Sequence, residues 1–244
     1  PSTIGIWFDA ADISNNGVIP FEGQIVSTWL DKSGKGRDMT KSTLGSITSQ
    51  PVIKLDGNNG RPVVYFDGKS RMRTTDYNFR GTDTNLWRNG GYSAFGVSRY
   101  TGGDSERVIT SDGGNWLLGH HGNQIGRYHF DGWVDQGFAS DTKFHIFETL
   151  HEGRSISSNP SATVWTDGIE GNYRNASKQG SNNNWFFPEY LAFGAMTSGR
   201  DSSKCQVAEF MIFEGLLTED KRLNIEGYLS HKWGVPLPSS HPWA

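Results

Sequence analysis

Between Asn115 and Gln136 the chain reads NWLLGHHGNQIGRYHFDGWVDQ. This stretch brings together Trp116, His120, His121, Arg127, Tyr128, His129 and Trp133, with Asn123, Gln124 and Asp131 beside turns at Gly122 and Asp131-Gly132. Indole and phenol rings supply flat apolar faces, while the imidazoles, the guanidinium and the amides supply short-range donors and acceptors. Saccharide recognition needs both: a ring against the C–H side of a pyranose and small polar groups on its hydroxyls. The seven residues Trp116, His120, His121, Arg127, Tyr128, His129 and Trp133 are therefore candidate carbohydrate contacts. The competing reading places the two tryptophans in a core and satisfies the histidines with neighbours. Asn182–Asn184 followed by Trp185 and Phe186 is a second candidate loop, where amides and stacking rings are again adjacent.

Other chemistries fit the residues less well. His120, His121 and His129 are imidazoles of the kind that bind zinc. Adjacent strand residues point to opposite faces, so His120 and His121 chelate together only from a loop. His151-Glu152 opens like a zinc-protease motif, but position 155 is Ser and the segment ends a strand. Nucleophile-elbow and phosphate-loop patterns are absent. Asn175-Ala176-Ser177 is a formal glycosylation acceptor and nothing more. Glu209 is a lone acid in an apolar strand, and glycoside cleavage needs two carboxylates flanking the bond. A glutamate hydrogen-bonded to loop backbone is the expectation there. Cys205, the single cysteine, excludes an internal disulfide and lies beside the apolar run Val207–Phe213, which makes it structural.

The elements that must carry these residues are strands. The 244 residues include 31 Gly and 9 Trp, with aromatics at 13%. Glycine is thus well above its usual ~7%, and the apolar mass sits in rings, which excludes coiled coils, helical bundles and disordered chains. A net charge of −3 without blocks of either sign lacks the footprint of nucleic-acid binding. No apolar run approaches the ~18 residues of a membrane span. Short or alternating apolar runs predict strands at Ile4–Phe8, Ile25–Leu30, Val52–Leu55, Pro62–Phe66, Tyr92–Arg99 and Arg107–Thr110. Further strands are predicted at Trp116–Gly119, Gln124–Phe130, Phe144–His151, Ala162–Thr166, Tyr190–Gly194 and Gln206–Phe213. Asp-Gly pairs, Asp167-Gly168 above all, mark tight reversals.

One segment has helical period. Thr218 stands at an N-cap position, Glu219 and Asp220 follow, and Ile225, Tyr228, Leu229 and Trp233 recur on one face. Lys232 lies in the last turn, Gly234 suits a left-handed cap, and Pro236 stops continuation. A dozen strands and one helix without alternation predict an all-β sandwich. The domain is expected over residues 1–235, with 236–244 as a Pro-rich tail or linker stub.

Four motifs occur in order. They are Trp7-Phe8-Asp9-Ala10-Ala11-Asp12, then Trp29-Leu30-Asp31-Lys32-Ser33-Gly34-Lys35-Gly36-Arg37-Asp38, then Gly60-Arg61-Pro62-Val63-Val64-Tyr65-Phe66-Asp67-Gly68. The last is Val207-Ala208-Glu209-Phe210 with the helix ending Gly227-Tyr228-Leu229-Ser230-His231-Lys232-Trp233-Gly234. Together they resemble the LamG-like, concanavalin A-like lectin/glucanase superfamily in its bacterial and viral branch. The resemblance implies a jelly-roll β-sandwich of two antiparallel sheets with one short C-terminal helix. It also implies a module of a larger secreted, cell-surface or virion protein. Relatives often bind calcium, for which Asp9, Asp12 and Asp31 would be the oxygen donors. The same three acids can instead accept loop N–H groups, and no regular calcium loop is present. Glycan-cleaving relatives use a Glu-x-Asp-x-x-Glu strand, which this sequence lacks. Lyase-type relatives use Gln, Arg, His and Tyr on paired strands, and Gln124, Arg127, Tyr128 and His129 share one strand here without the family strings around them.

The resulting expectation is a non-catalytic, lectin-like carbohydrate-binding module that meets a polysaccharide or glycan surface. It requires no cofactor, has calcium as its candidate ion, and works outside the cell, at a cell surface or on a virion, alone or in an oligomer. The alternatives are a structural or adhesive domain of a viral fibre, decoration protein or surface assembly, and a glycan-cleaving enzyme.

Overall fold

The computed structural model describes residues 3–42, 45–75, 91–112, 115–130, 132–152, 162–171, 188, 190–196 and 199–244. Its strands are β1 (Ile4–Asp9), β2 (Thr28–Trp29), β3 (Met39–Lys41), β4 (Val52–Lys54), β5 (Val63–Asp67), β6 (Met72–Thr74), β7 (Tyr92–Ser105) and β8 (Ile109–Ser111). They continue with β9 (Trp116–His121), β10 (Gln124–Phe130), β11 (Trp133–Ala139), β12 (His145–His151), β13 (Ala162–Thr166), β14 (Ile169–Glu170), β15 (Leu191–Phe193) and β16 (Ser203–Glu214). Among the described residues one α-helix, α1 (Glu219–Trp233), follows.

All pairing among the described residues is antiparallel, in two sheets. The first runs β14-β13-β12-β7-β16-β5-β4; the second runs β11-β10-β9-β8-β15-β6-β3-β2. The first half of β16 pairs with β5 and its second half with β1, so two strands share one edge of β16 end to end. The layers meet through rings: Phe8, Trp29, Phe193 and Phe210 lie with centroids 5.6 to 6.0 Å apart. The protein is an all-β sandwich, as the strand pattern predicted.

The predicted strand over Ile25–Leu30 shrinks to Thr28–Trp29, with an isolated bridge between Ile25 and Val52. β3, β6 and β11 carry no clear alternation and were not anticipated; neighbours in the sheet impose them. Asp167 (φ 52°) and Gly168 (φ 73°) form the expected tight turn between β13 and β14.

Helix α1 starts after Thr218, whose backbone carbonyl rather than its hydroxyl bonds the first turn, through Arg222 N at 2.9 Å. Gly234 ends it in the left-handed region at φ 64°, its N–H reaching Ser230 O. The helix lies on the outer face of the first sheet and is tied there by charge. Arg222 donates to Glu148 of β12 (3.1 Å) and to Glu226 one turn on (2.9 Å), with its guanidinium 4.4 Å over the Trp165 ring. Burial, with Glu226 alongside, pushes the Glu148 carboxyl well above the usual range. Residues 236–244 turn back on the helix: buried His241 places Nε2 3.1 Å from Glu226, and Leu237 and Pro238 approach Gly168.

The sequence motifs converge at the other end of α1. Glu209 of β16 is fully buried. It accepts from Trp7 Nε1 (2.7 Å), Tyr228 Oη (2.9 Å) and Trp233 Nε1 (2.6 Å), and Lys232 Nζ lies 2.8 Å away. The expectation of loop backbone as its partner is thus replaced by four side chains drawn from the first and last motifs. Burial raises the Glu209 carboxyl, against the pull of Lys232. Asp9, Asp12 and Asp31 accept loop N–H groups, from Ala11 N, from Asn16 N, and from Trp7 N and Ser33 N respectively, each at 2.9 to 3.0 Å. Lys32 bridges Asp9 (3.3 Å) and Asp12 (2.9 Å). Among the described residues no three His, Cys, Asp or Glu side chains form a group that could hold a metal ion.

Candidate functional site

Strands β9, β10 and β11 form the end of the second sheet, and alternation decides which candidates reach water. Trp116, His120 and Tyr128 point inward and are buried. Trp116 donates Nε1–H to Tyr92 Oη (2.8 Å), and Tyr128 donates to the Trp165 carbonyl (2.7 Å). His120 is wedged between Tyr100 and Phe147, ring centroids 4.5 and 4.6 Å away, and burial drives its basicity far down. These three are corrected to core residues. A buried neutral imidazole between two rings cannot also meet a ligand at the surface.

His121, Arg127, His129 and Trp133 lie on the outer face, each partly exposed. Trp133 stands opposite His129, which stands opposite Leu117, so one row crosses three strands. Arg127 joins this face only because β10 is bulged. The register slips between Ile125 and Arg127, where Gly126 takes φ 70°. An extra residue inverts the alternation beyond it, so Ile125 and Tyr128 face the core while Arg127 and His129 face out. A glycine within the strand pattern was the available signal for that bulge.

The indole of Trp133 is the hub. The Arg127 guanidinium lies 4.4 Å over it, His121 is tilted against it at 5.1 Å, and His129 meets it edge to face at 5.0 Å. Arg127 is held from the other side by Gln124 Oε1 (2.9 Å). Stacking a guanidinium on an indole fixes a planar donor array beside an apolar ring.

Two further residues belong here that sequence reasoning left out. Arg107 is nearly buried and donates to Asp201 (3.1 Å), Thr110 Oγ1 (3.3 Å) and Asn115 Oδ1 (2.6 Å). The Asn115 amide nitrogen lies 3.2 Å from His129 Nε2. That nitrogen can only donate, so His129 keeps its own proton on Nδ1. Burial, with Arg107 and His121 nearby, lowers His129 to about 4, and burial also lowers His121. His129 is thus neutral near pH 7, with Nε2 taken by Asn115 and Nδ1 buried, and the shift of His121 favours its neutral form. Glu106 lies 3.7 Å from His121 and binds Gly122 N at 3.2 Å, which fixes the turn. Asp131 and the loop Asn182–Asn184, Trp185 and Phe186 lie outside the described residues, as does Asn175-Ala176-Ser177.

No family model matches the chain, and no curated protein matches it. Solved structures do. A botulinum neurotoxin type C structure, from work on cell entry dependent upon two ganglioside molecules, aligns with TM-score 0.58 at 12% identity over 93% of this chain and 51% of that one. The binding domain of botulinum neurotoxin DC in complex with rat synaptotagmin II aligns with TM-score 0.55 at 11% identity, over 93% and 52%. An arabinofuranosidase complexed with an arabinofuranosyl-xylobiose aligns with TM-score 0.55 at 12% identity, over 83% and 50%. The chain spans about half the length of each of these. At such identities the likeness shows the fold alone, a β-sandwich.

Proposed function

We propose that this chain is a non-catalytic, lectin-like module of a larger secreted, cell-surface or virion protein, and that it binds saccharide on the outer face of β9–β11. The observation that supports it is Trp133: a partly exposed indole with a guanidinium stacked on it and two neutral imidazoles at its border. The helix already occupies the outer face of the first sheet over β12, β13 and β16. The acid considered for catalysis, Glu209, is committed to four structural partners. The ganglioside and arabinofuranoside contexts of the structural neighbours agree with this reading.

A glycan array tests it. Trp133→Ala removes the hub, and a central aromatic anchor is worth about 2 kcal/mol, roughly 30-fold in Kd. Binding by the parent chain that falls by this much in Trp133→Ala and Arg127→Ala, with melting temperature kept, is the expected result. Array signal unchanged in both variants overturns the site; no signal on any glycan overturns the function.

A second reading has one specific observation behind it. Val18, Ile19, Phe21 and Ile25 are 55 to 72% exposed along one short loop. Such a cluster suits an adhesive or assembly contact. A concentration-independent oligomer in sedimentation that dissociates in Ile19→Ser/Phe21→Ser supports it.

A further inference from the structure

At the end of the first sheet, away from the β9–β11 face, a cavity of about 450 Å³ opens between the strands and the chain leaving α1. Its volume lies within the range of small-molecule sites. The apolar part of its wall is Phe144, Val235 and Pro236. The polar part comes from separate elements: Arg99 of β7, Asn58, the loop carrying Asp141 to Lys143, His145 at the start of β12, and Asp167 in the β13–β14 turn.

The charges of its wall cancel once the partner of Arg99 is counted with them. His145 is bracketed by two carboxylates, Asp167 at 2.6 Å from Nδ1 and Asp141 at 2.9 Å from Nε2. Only the imidazolium can donate at both nitrogens, so this geometry is that of a charged histidine. Arg99 lies 4.5 Å over Phe144, donates to Gln206 (2.7 Å), and faces Asp56 at 3.2 Å. Lys143 adds a positive charge at the exposed rim. Three cations of the wall, Arg99, Lys143 and His145, thus stand against its two carboxylates, Asp141 and Asp167, and against Asp56, which pairs with Arg99 from outside the lining. An anionic ligand would meet Asp141 and Asp167, and a cationic one would meet Arg99 and Lys143. A neutral ligand that both donates and accepts, with an apolar flank for Phe144 and the proline, meets no opposing charge. A sugar hydroxyl has that character.

From this cavity we infer a second binding site, separate from the β9–β11 face, that takes one neutral sugar unit. Its donors would be Arg99 and Lys143, its acceptors Asp141 and the Asn58 carbonyl, and its floor Phe144. Two sites on one rigid domain would let it hold a branched or repeated glycan at two points, so that weak single contacts add as avidity.

The test is backbone amide NMR on the isotope-labelled chain, titrated with methyl glycosides of common neutral pentoses and hexoses. Galacturonate and tetramethylammonium serve as charged counterparts. The expected result is a saturable shift at residues 58, 99, 141–145 and 235 with at least one neutral glycoside. Thr142→Trp puts a bulky ring at an exposed position of the mouth, and should weaken that shift about tenfold or more. Trp133→Ala should leave it unchanged, which separates this site from the one proposed above. The inference is overturned if no neutral glycoside shifts these amides. It is also overturned if the charged probes shift them more strongly, or if the shift persists in Thr142→Trp.

Discussion

Replacing Glu209 should cost more than any other single polar change in the molecule. Its carboxylate is fully buried, and four donors from β1 and α1 close on it: Trp7, Tyr228, Trp233 and Lys232. Glu209→Ala leaves two indole N–H groups, a phenol and an ammonium without their common acceptor. Breaking a buried ion pair from one side costs about 3–5 kcal/mol. For a chain of this size each kcal/mol moves Tm by about 2–4 °C, so the drop should be roughly 6–20 °C. Glu209→Gln tells charge from shape. It keeps one oxygen for Trp7 and Tyr228 but turns an NH2 toward Trp233 Nε1 and Lys232 Nζ, both donors, so it should fall between the parent and Ala. Scanning calorimetry gives the values, and Lys232→Met with each variant gives the coupling. A Glu209→Ala Tm within about 2 °C of the parent would refute the reasoning, because a shift that small is under about 1 kcal/mol.

The remaining predictions concern core, backbone and protonation. Trp116→Ala should destabilise by about 3–5 kcal/mol through its cavity, read as a lower urea midpoint, whereas Trp133→Ala on the outer face should barely move it. Gly119→Ala drives a Cβ into the Phe147 ring at φ 91°, and should unfold the chain or lower its Tm sharply. For His145, burial alone would lower the pKa, but Asp167 and Asp141 outweigh it and hold it above the ordinary value. Its contribution to stability is therefore complete below about pH 6.5 and is lost as pH rises through the raised folded value. Urea midpoints from about pH 5.5 to about 9 should fall more for the parent than for His145→Gln.

Much of the architecture was legible because period two and Asp-Gly turns are local signals. Gln124–Phe130 and Ala162–Thr166 were read with their observed bounds, and Gly234 took its left-handed cap. The helix was read from its apolar stripe, yet Arg222 and Glu226, buried beneath it, look like solvent-facing charges in sequence. Their burial depends on Glu148, far away along the chain, which no period reports. The candidate segment was placed on the right strands, but three of its seven residues turned inward. Residue type attracted attention to Trp116, His120 and Tyr128, and only the pleat and the Gly126 bulge decide which side each takes. Asn115 and Arg107 escaped notice because they act by holding His129 in place, a role with no compositional mark.

The place of β16 sets the order in which the molecule can assemble. β16 lies at the middle of its sheet, joining β7, β5 and β1, and Ile4 pairs with Phe213. During synthesis β1, β5 and β7 emerge long before their common neighbour and must wait with open edges. The β9–β11 meander closes through short hairpins and can form early. The nascent chain should therefore pass through a stage with one layer built and the other without its central strand. That stage is rich in unpaired edges, prone to association, and reached by slow, long-range closure on a time scale of roughly milliseconds to seconds.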